Sequence, residues 1–468
     1  MKPGFEHPRA SMSYFTATQA LKQMQEGKLQ PSTLLQFSLE RIQQRELDVR
    51  AWQSLAIETA VQTAQRFDQQ PTNSQAMADL PLRGIPVAIK DIFSTADLPT
   101  TWGTSIYQGR YLLADAAVVA RLKAAGAIIL GKTVTTEFAT AAAGPTRNPH
   151  NLGHTPGGSS SGSAAAVADG MVPVAIGSQT MGSILRPAAY CGIFGFKPSF
   201  GVMSRYGMMP VSMDLDHVGL FARSLDDLEL LLEILASPDY RDPACNQSPQ
   251  SLEKTAASTP PPRIAFILGP HYEQLEPFTR DRLQDISHVL EGAGAMVDRV
   301  TLPDLFQTAW EDTQNLCALG LATHHGDMIR RHRAQVSDLL LAWLERGERL
   351  DEAAYTAIQQ RAAVYRSALS DIFAAYDFIL TPVTTGAAPK GLEATGSPIF
   401  CGLWTLCDVP AINLPVGKDS FGLPLGCQLV GNYLADFRFL NLARWCWAAL
   451  SEEFGDIEVP ITNFPSPQ

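Results

Sequence analysis

Short apolar runs alternate with helix-like stretches along most of the chain, and this alternation constrains the fold more than any other feature. GIPVAIK, at 84–90, is an apolar run of strand length bounded by glycine and proline. AAVVARLKAAGAIILGKT, at 116–133, is then typical of a helix, a break at Gly126 and a second strand. RIAFILG at 263–269 begins a similar alternation. The pattern predicts an α/β fold, in which a β-sheet is covered by helices.

The same alternation continues over most of the 468 residues without an internal repeat, so we expect one large domain spanning 1–468. Apolar residues make up 46% of the chain, which is enough for a large core. Within that domain we expect N-terminal helices over about 12–70. A Pro-rich surface connection is expected over about 236–262, and a helical region over about 304–376. Three tryptophans could shape a substrate pocket or simply pack in the core: Trp310, Trp343 and Trp404.

Charge and cysteine usage exclude several classes of protein. The net charge of −11 argues against a nucleic-acid partner. Seven cysteines without C-x-x-C spacing favour reduced thiols over a zinc site or a disulfide framework. The first 15 residues lack the apolar run of a signal peptide, and the most apolar stretch, at 164–177, is broken by Asp169, Gly170 and Pro173. We therefore expect a cytoplasmic protein with no membrane association, either a monomer or a homodimer.

Two segments rich in glycine and hydroxyl groups are the strongest candidates for chemistry. They are TPGGSSSGSAAAV at 155–167 and GSQTMGSILRPAAYCG at 177–192. A Gly/Ser-rich stretch can be a flexible linker. The first segment, however, leads directly into a small-residue helix and then a strand, and backbone N–H groups before a helix can bind an anion or an oxyanion. Both interpretations stay open on this pattern alone.

Residues 158–162, GSSSG, also match the G-x-S-x-G pattern of a nucleophile elbow centred on Ser160. Such an elbow needs a strand directly before the serine, and the preceding RNPHNLGHTPG is a poor strand. This alternative would make the protein an α/β-hydrolase-type esterase. The adjacent His324 and His325 are read as surface residues, because no carboxylate stands at ligand spacing from them.

Lys90 ends the apolar run GIPVAIK. Most lysines at strand ends extend into solvent and carry no special chemistry. A lysine buried at such a position differs, because burial disfavours the ammonium form and lowers its pKa. Lys90 is thus either a solvated side chain or a neutral amine that could activate a serine elsewhere in the chain.

Several of these segments together resemble the amidase signature family of C–N hydrolases. The matching stretches are GIPVAIKDIF, GKTVTTEFA, LDHVGLFARS and the long run TPGGSSSGSAAAVADGMVPVAIGSQTMGSILRPAAYCGIFGFKPSFG. DVPAINLPVG and GLPLGCQLVG match more weakly. The likeness extends from about residue 15 to about residue 445. It implies a mixed β-sheet core flanked by α-helices.

The resemblance also implies a set of catalytic residues. The family's nucleophile falls on Ser183, its bridging serine, usually preceded by a cis peptide, on Ser159, and its lysine on Lys90. Ser183 follows Ser159 by 24 positions, which is the family's spacing. Lys90 would take a proton from Ser159, which takes one from Ser183. Neither a metal nor an organic cofactor is required. The implied oxyanion hole consists of backbone N–H groups of Thr180, Met181, Gly182 and Ser183.

Two further positions are candidates for substrate binding. Met181 stands where relatives commonly have glycine, so its side chain either borders the pocket or is a harmless packing substitution. Arg186 could hold the carboxylate of an acidic substrate, as in some family members, or could lock the loop that follows it.

The sequence therefore predicts an amidase or acylamidase that cleaves a small-molecule amide, anilide or carbamate. One alternative is the amidase component of a tRNA-dependent amidotransferase, which would work in a complex. Another is a catalytically dead scaffold, although all three catalytic positions are filled.

Overall fold

The apolar runs of the sequence form strands of a single mixed sheet. The computed structural model describes residues 15–70, 79–246 and 260–454. Within these ranges the sheet has eleven strands. They are β1 Trp52–Leu55, β2 Pro86–Lys90, β3 Ile128–Thr133, β4 Val174–Gln179, β5 Phe194–Lys197, β6 His217–Ala222, β7 Arg263–Phe266, β8 Met296–Arg299, β9 Phe378–Pro382, β10 Ala411–Lys418 and β11 Pro424–Val430.

The strand order in the sheet is β1-β3-β2-β4-β6-β5-β10-β11-β9-β7-β8. Strand β2 runs parallel to both of its neighbours, β3 and β4. A second parallel group is formed by β9, β7 and β8, and the strands between the two groups pair antiparallel. The sheet is therefore mixed.

Thirteen α-helices of the described ranges accompany the sheet. They are α1 Ala17–Gln25, α2 Pro31–Val49, α3 Ile57–Asp68, α4 Ala117–Ala124, α5 Ser161–Ala168, α6 Leu185–Cys191, α7 Leu225–Leu235, α8 Pro277–Gly292, α9 Ala309–Arg331, α10 Asp338–Glu348, α11 Glu352–Ala375, α12 Ile399–Leu406 and α13 Asp436–Phe454. Short 3-10 helices cover Ser105–Tyr107, Glu137–Ala139, Tyr272–Gln274, Asp304–Thr308 and Arg333–Gln335. The predicted fold class, a single α/β domain with a mixed sheet flanked by helices, is confirmed.

The parallel strands near the centre position the candidate site. Every residue of β2 and of β4 is buried, as expected for strands covered on both faces, which read as nearly continuous apolar runs. Ile89 pairs with Ile176 across the two strands. Because parallel neighbours end at the same edge of a sheet, Lys90 and the residues after Ile176 meet there although they are distant in the chain.

The N-terminal region differs in one respect from the predicted run of helices. Strand β1 separates α2 from α3 and pairs antiparallel with β3. It is only four residues long, and just one of them, Trp52, is buried, so it has no clear alternating pattern. Residues 12–14 of the predicted helical region lie outside the described residues.

The described part of the predicted Pro-rich connection, 236–246, is anchored to the domain. Asp242 accepts hydrogen bonds from the Arg205 guanidinium and from its backbone N–H, and both side chains are buried. Ser204 donates to Asp239. Residues 247–259 of this segment lie outside the described residues.

No helix in the described part of the chain combines the length and the apolar character that crossing a membrane requires.

Candidate active site

Lys90 lies at the carboxyl end of β2 and is completely buried. Its Nζ lies 2.7 Å from the Oγ of Ser159 and 2.8 Å from the Oγ of Ser178. Among the described residues, no carboxylate forms an ion pair with Lys90. A second buried lysine, Lys132, shows the contrast, because its Nζ lies 2.9 Å from a carboxylate oxygen of Asp91. The Lys90 amine therefore contacts two hydroxyl groups and, among the described residues, no carboxylate.

This environment favours the neutral amine. Burial lowers the pKa of Lys90 well below its ordinary value, the charge of Asp216 opposes that shift, and the charge of Arg186 adds to it. A neutral amine has two hydrogens and one lone pair. It can donate to Ser178 and accept a proton from Ser159 at the same time.

Ser159 lies in the loop before α5, and the peptide bond between Gly158 and Ser159 is cis. The Ser159 side chain is nearly completely buried. Its carbonyl oxygen accepts a hydrogen bond from the backbone N–H of Thr136, 3.3 Å away. The preceding carbonyl, that of Gly158, accepts from Nη2 of Arg186 at 2.5 Å. Ser159 is therefore fixed by backbone contacts on both sides.

Ser183 lies in the short connection between β4 and α6 and is 7% exposed. The Gln179 side chain links the two ends of this loop. Its Oε1 accepts hydrogen bonds from the backbone N–H groups of Ile184 and Leu185 at 2.9 and 3.1 Å. The other end of the Gln179 amide donates to Thr405. Among the described residues the Ser183 hydroxyl has no hydrogen-bond partner, so its predicted contact with Ser159 stays a prediction.

The connection also presents unpaired backbone donors. Within the described part of the chain, the N–H groups of Met181, Gly182 and Ser183 have no hydrogen-bond acceptor. They precede helix α6, where backbone N–H groups attract negative charge. Unpaired donors beside a serine hydroxyl can stabilise a developing oxyanion. The hydroxyl of Thr180, the fourth position predicted for this role, donates to Asp216 at 2.6 Å, and the role of its backbone N–H stays a prediction.

Helix α12 packs directly against this loop. A Cβ on Gly182 would lie 2.7 Å from the Cβ of Pro398, so the close approach requires glycine. Met181 is half-buried, and its carbonyl oxygen accepts from the Thr405 hydroxyl at 3.1 Å. Met181 is absent from the described residues with positive φ, so its backbone accepts a side chain where relatives commonly have glycine.

Arg186 is buried and spans two loops. Besides the bond to Gly158, its Nη1 donates to the carbonyl of Gly396 at 2.6 Å. Its Nε has no partner among the described residues. These contacts favour the loop-locking interpretation, and a role in binding a substrate carboxylate stays a prediction.

Ser160 does not sit at a strand-to-helix elbow, because the residues before it form a loop. Its hydroxyl is buried and donates to the carbonyl of Ser178 at 3.2 Å. His325, expected at the surface, is instead buried and packs against the rings of Trp102 and Phe138. Its Nε2 lies 2.7 Å from the carbonyl of Pro210, so it belongs to the packing between α9 and a neighbouring loop.

A comparison with protein families agrees with this arrangement. A family model described as Amidase matches residues 33–440, which is most of the chain. The chain belongs to the amidase family.

Relatives within the amidase family have different activities. The chain is 34% identical to a glutamyl-tRNA(Gln) amidotransferase subunit of Rhodopirellula baltica, over 91% of this chain and 94% of that one. Among solved structures, an amidase superposes with a TM-score of 0.82 at 29% identity, covering 93% of this chain and 100% of that chain. The peptide amidase of Stenotrophomonas maltophilia gives 0.78 at 28% identity, covering 95% and 98%.

Sequence reasoning about this amidase missed three residues that the structure brings to the site: Ser178, Gln179 and Asp216. Ser178 and Gln179 end a buried strand, and a polar pair at that position could have indicated a functional edge. Asp216 stands within the segment SMDLDHVGL, where nothing local indicates that its carboxylate contacts Thr180.

Proposed function

We propose that this protein hydrolyses the C–N bond of a small-molecule amide through an acyl-enzyme on Ser183, with Ser159 and Lys90 as the proton relay. The observation that carries the proposal is the contact between the fully buried Lys90 amine and the Ser159 hydroxyl, 2.7 Å apart. A lysine without a counter-charge in this position can act as a base at neutral pH.

In the first step the Ser183 oxygen forms a bond to the substrate carbonyl carbon. The Ser183 proton moves to the Ser159 oxygen while the Ser159 proton moves to Nζ of Lys90. The carbonyl oxygen takes the electron pair of the C=O double bond and becomes an oxyanion. The free N–H groups of Met181, Gly182 and Ser183 are the donors available to it.

Collapse of the tetrahedral intermediate breaks the C–N bond. The relay runs in reverse, so Ser159 gives a proton to the leaving nitrogen and Lys90 returns one to Ser159. This transfer matters because an amide nitrogen leaves poorly without a proton. Water then attacks the acyl-enzyme with the same relay as base, which releases the carboxylic acid and restores Ser183.

The same attack serves an amide, an anilide or a carbamate, because each has a carbonyl carbon bonded to nitrogen. Met181 is half-buried and packs against the hydrophobic core, and in this proposal the exposed part of its side chain narrows the acyl site relative to glycine. This favours compact acyl groups in the substrate.

A second candidate function is that of the amidase component of a tRNA-dependent amidotransferase, which releases ammonia for a partner protein. It is favoured by the 34% identity to a protein of that kind over nearly the whole of both chains. In that case glutamine is the amide substrate, and turnover depends on the partner.

The test is to purify the chain alone and assay it with a p-nitroanilide, a simple aliphatic amide, a carbamate and glutamine. A fluorophosphonate probe is expected to label Ser183, as mapped by mass spectrometry, and Ser183→Ala should neither be labelled nor turn over substrate. An adduct on Ser160 would contradict the proposal. Ammonia release from glutamine only after addition of the partner proteins would support the second candidate.

A further inference from the structure

Asp216, at the end of the loop before β6, is tied by both of its carboxylate oxygens. Oδ1 accepts the Thr180 hydroxyl at 2.6 Å. Oδ2 accepts the backbone N–H groups of Val211 and Ser212 at 2.7 and 3.0 Å. The side chain is 2% exposed. One buried carboxylate thus connects the loop after β4 to a separate backbone segment.

The hydrogen bond between Asp216 and Thr180 matters because the unpaired N–H groups lie between the two ends of the loop after β4. The Gln179 side chain fixes the far end through Ile184 and Leu185. The Thr180 hydroxyl fixes the near end through Asp216. The residues with unpaired N–H groups lie between these two attachments. Loss of either attachment would let those donors move, and donors aimed at an oxyanion lose their effect when displaced by about 1 Å.

Asp216 also acts on Lys90 electrostatically. Its negative charge raises the pKa of Lys90 against the effect of burial. Burial raises the pKa of Asp216 itself to about 6, against the hydrogen bond from Thr180 and the charge of Arg205, which lower it. Burial raises the pKa of the Cys317 thiol on α9, and the charge of Asp216 adds to that shift. Its neighbour His217 is buried, and burial holds the imidazole pKa well below its ordinary value.

We propose that Asp216 is a positioning residue for the amidase reaction: it holds the oxyanion-binding loop through the Thr180 hydroxyl. This inference rests on the proposed function and adds the residue that orders its oxyanion donors. In this role Asp216 acts through Thr180 and not on the substrate itself.

The first test compares Thr180→Val, which removes the hydroxyl at nearly constant shape, with Thr180→Ser, which retains it. Thr180→Val is expected to lower kcat about 10- to 100-fold with KM within about three-fold, because the donors act mainly in the transition state. Phenylboronic acid, which forms a tetrahedral adduct with the serine, should bind more weakly by a factor similar to the loss in kcat/KM. Thr180→Ser should recover most of the lost activity.

The second test uses Asp216→Asn, which removes the charge at constant size. Its kcat should fall as in Thr180→Val. Without the negative charge, the pKa of Lys90 falls further, so the acid limb of the kcat/KM profile should shift to lower pH. Thr180→Val retains the Asp216 charge, and its acid limb should stay in place. If Asp216 had a purely structural role, the acid limbs of the kcat/KM profiles of Asp216→Asn and Thr180→Val would not differ.

Equal losses in Thr180→Val and Thr180→Ser would overturn the inference, as would a wild-type kcat in Thr180→Val. If Asp216→Asn fails to fold, the two Thr180 variants still decide the question. Failure of the proposed function is distinguishable, because the wild type would then show neither turnover nor labelling of Ser183. If the wild-type enzyme is labelled and active and the Thr180→Val variant has the same kcat, the proposed function stands and only the role of Asp216 is excluded.

Discussion

The Lys90 amine and the Ser159 hydroxyl lie 2.7 Å apart although 69 positions separate them in the chain. The amine comes from the end of a central strand, and the hydroxyl from a loop that leads into α5. The Lys90 amine is completely buried and lacks a paired carboxylate among the described residues. An amine in this setting can serve as a base only while it is neutral.

The proposed relay requires a neutral Lys90, so activity should rise with pH. Since burial lowers the pKa of Lys90, the acid limb of kcat/KM should lie well below the ordinary lysine range. The measurement is kcat/KM for a non-ionising amide from about pH 5 to about pH 9. A flat profile would exclude lysine as the base.

Lys90→Met should lower kcat by about 10²- to 10⁴-fold, because the proton acceptor is lost while the buried volume is nearly kept. The variant should remain folded, as Lys90→Ala should also, with an unchanged circular dichroism spectrum. Chemical labelling of Ser183 by the fluorophosphonate should slow in parallel. Wild-type turnover in a folded variant would contradict the assignment.

The stability of the protein should report the same buried amine. Unfolding exposes Lys90, which then takes up a proton at any pH between its lowered folded pKa and about 10.4. The unfolded state therefore binds more protons in this window, and the wild-type free energy of unfolding gains a contribution that rises with pH. Urea unfolding of Lys90→Met across the window should show a smaller rise. Lys197→Met is the matched comparison, because burial lowers the pKa of Lys197 to about 7. Parallel curves for wild type and Lys90→Met would contradict a lowered lysine pKa.

Arg186→Lys should impair the reaction for all substrates. A lysine cannot donate to both the Gly158 and Gly396 carbonyls with the fork geometry of the guanidinium, so the backbone at Ser159 should be less well held. We expect kcat to fall about ten-fold or more for a neutral amide and for its carboxylate-bearing analogue alike. A rise in KM confined to the acidic analogue would instead show that Arg186 binds a substrate carboxylate.

Met181→Gly should widen the range of acyl groups. Removing the half-buried side chain beside the unpaired donors leaves space that a bulkier acyl group can fill. The ratio of kcat/KM for a branched amide to that for an unbranched one should rise about ten-fold. Met181→Leu, which conserves volume, is the control and should keep the wild-type ratio. An unchanged ratio in Met181→Gly would mean that Met181 only packs against the core.

Asp169 offers a test of stability away from the site. Arg41 and Arg45 of α2 both donate to one of its carboxylate oxygens at 3.1 Å, and all three side chains are buried. Asp169→Ala leaves two buried guanidinium groups without this partner, so the free energy of unfolding should fall by about 3–5 kcal/mol. Urea unfolding measures the change. A loss below about 1 kcal/mol would show that water or other groups replace the carboxylate.

Several features of this protein were accessible from the sequence alone. Strands β2 and β4 were predictable because strands buried on both faces need continuous apolar runs, and such runs can be read locally. The loop segments that carry Ser159 and Ser183 were identifiable by their composition and by their likeness to a family. Strand β1 was missed because a short, partly exposed strand has no periodic signal.

The sequence by itself determined the fold class, the family and the serines and lysine on which the proposal rests. Only the tertiary structure decided that Lys90 is buried with no ion pair among the described residues, that its amine also contacts the Ser178 hydroxyl, and that Asp216 accepts a hydrogen bond from Thr180. The physical reason is that apolar patterning specifies which segments become strands, whereas strand order decides which strand ends become neighbours. A lysine's pKa depends on desolvation and on nearby charges from other elements, and the neighbouring residues in the sequence determine neither of these.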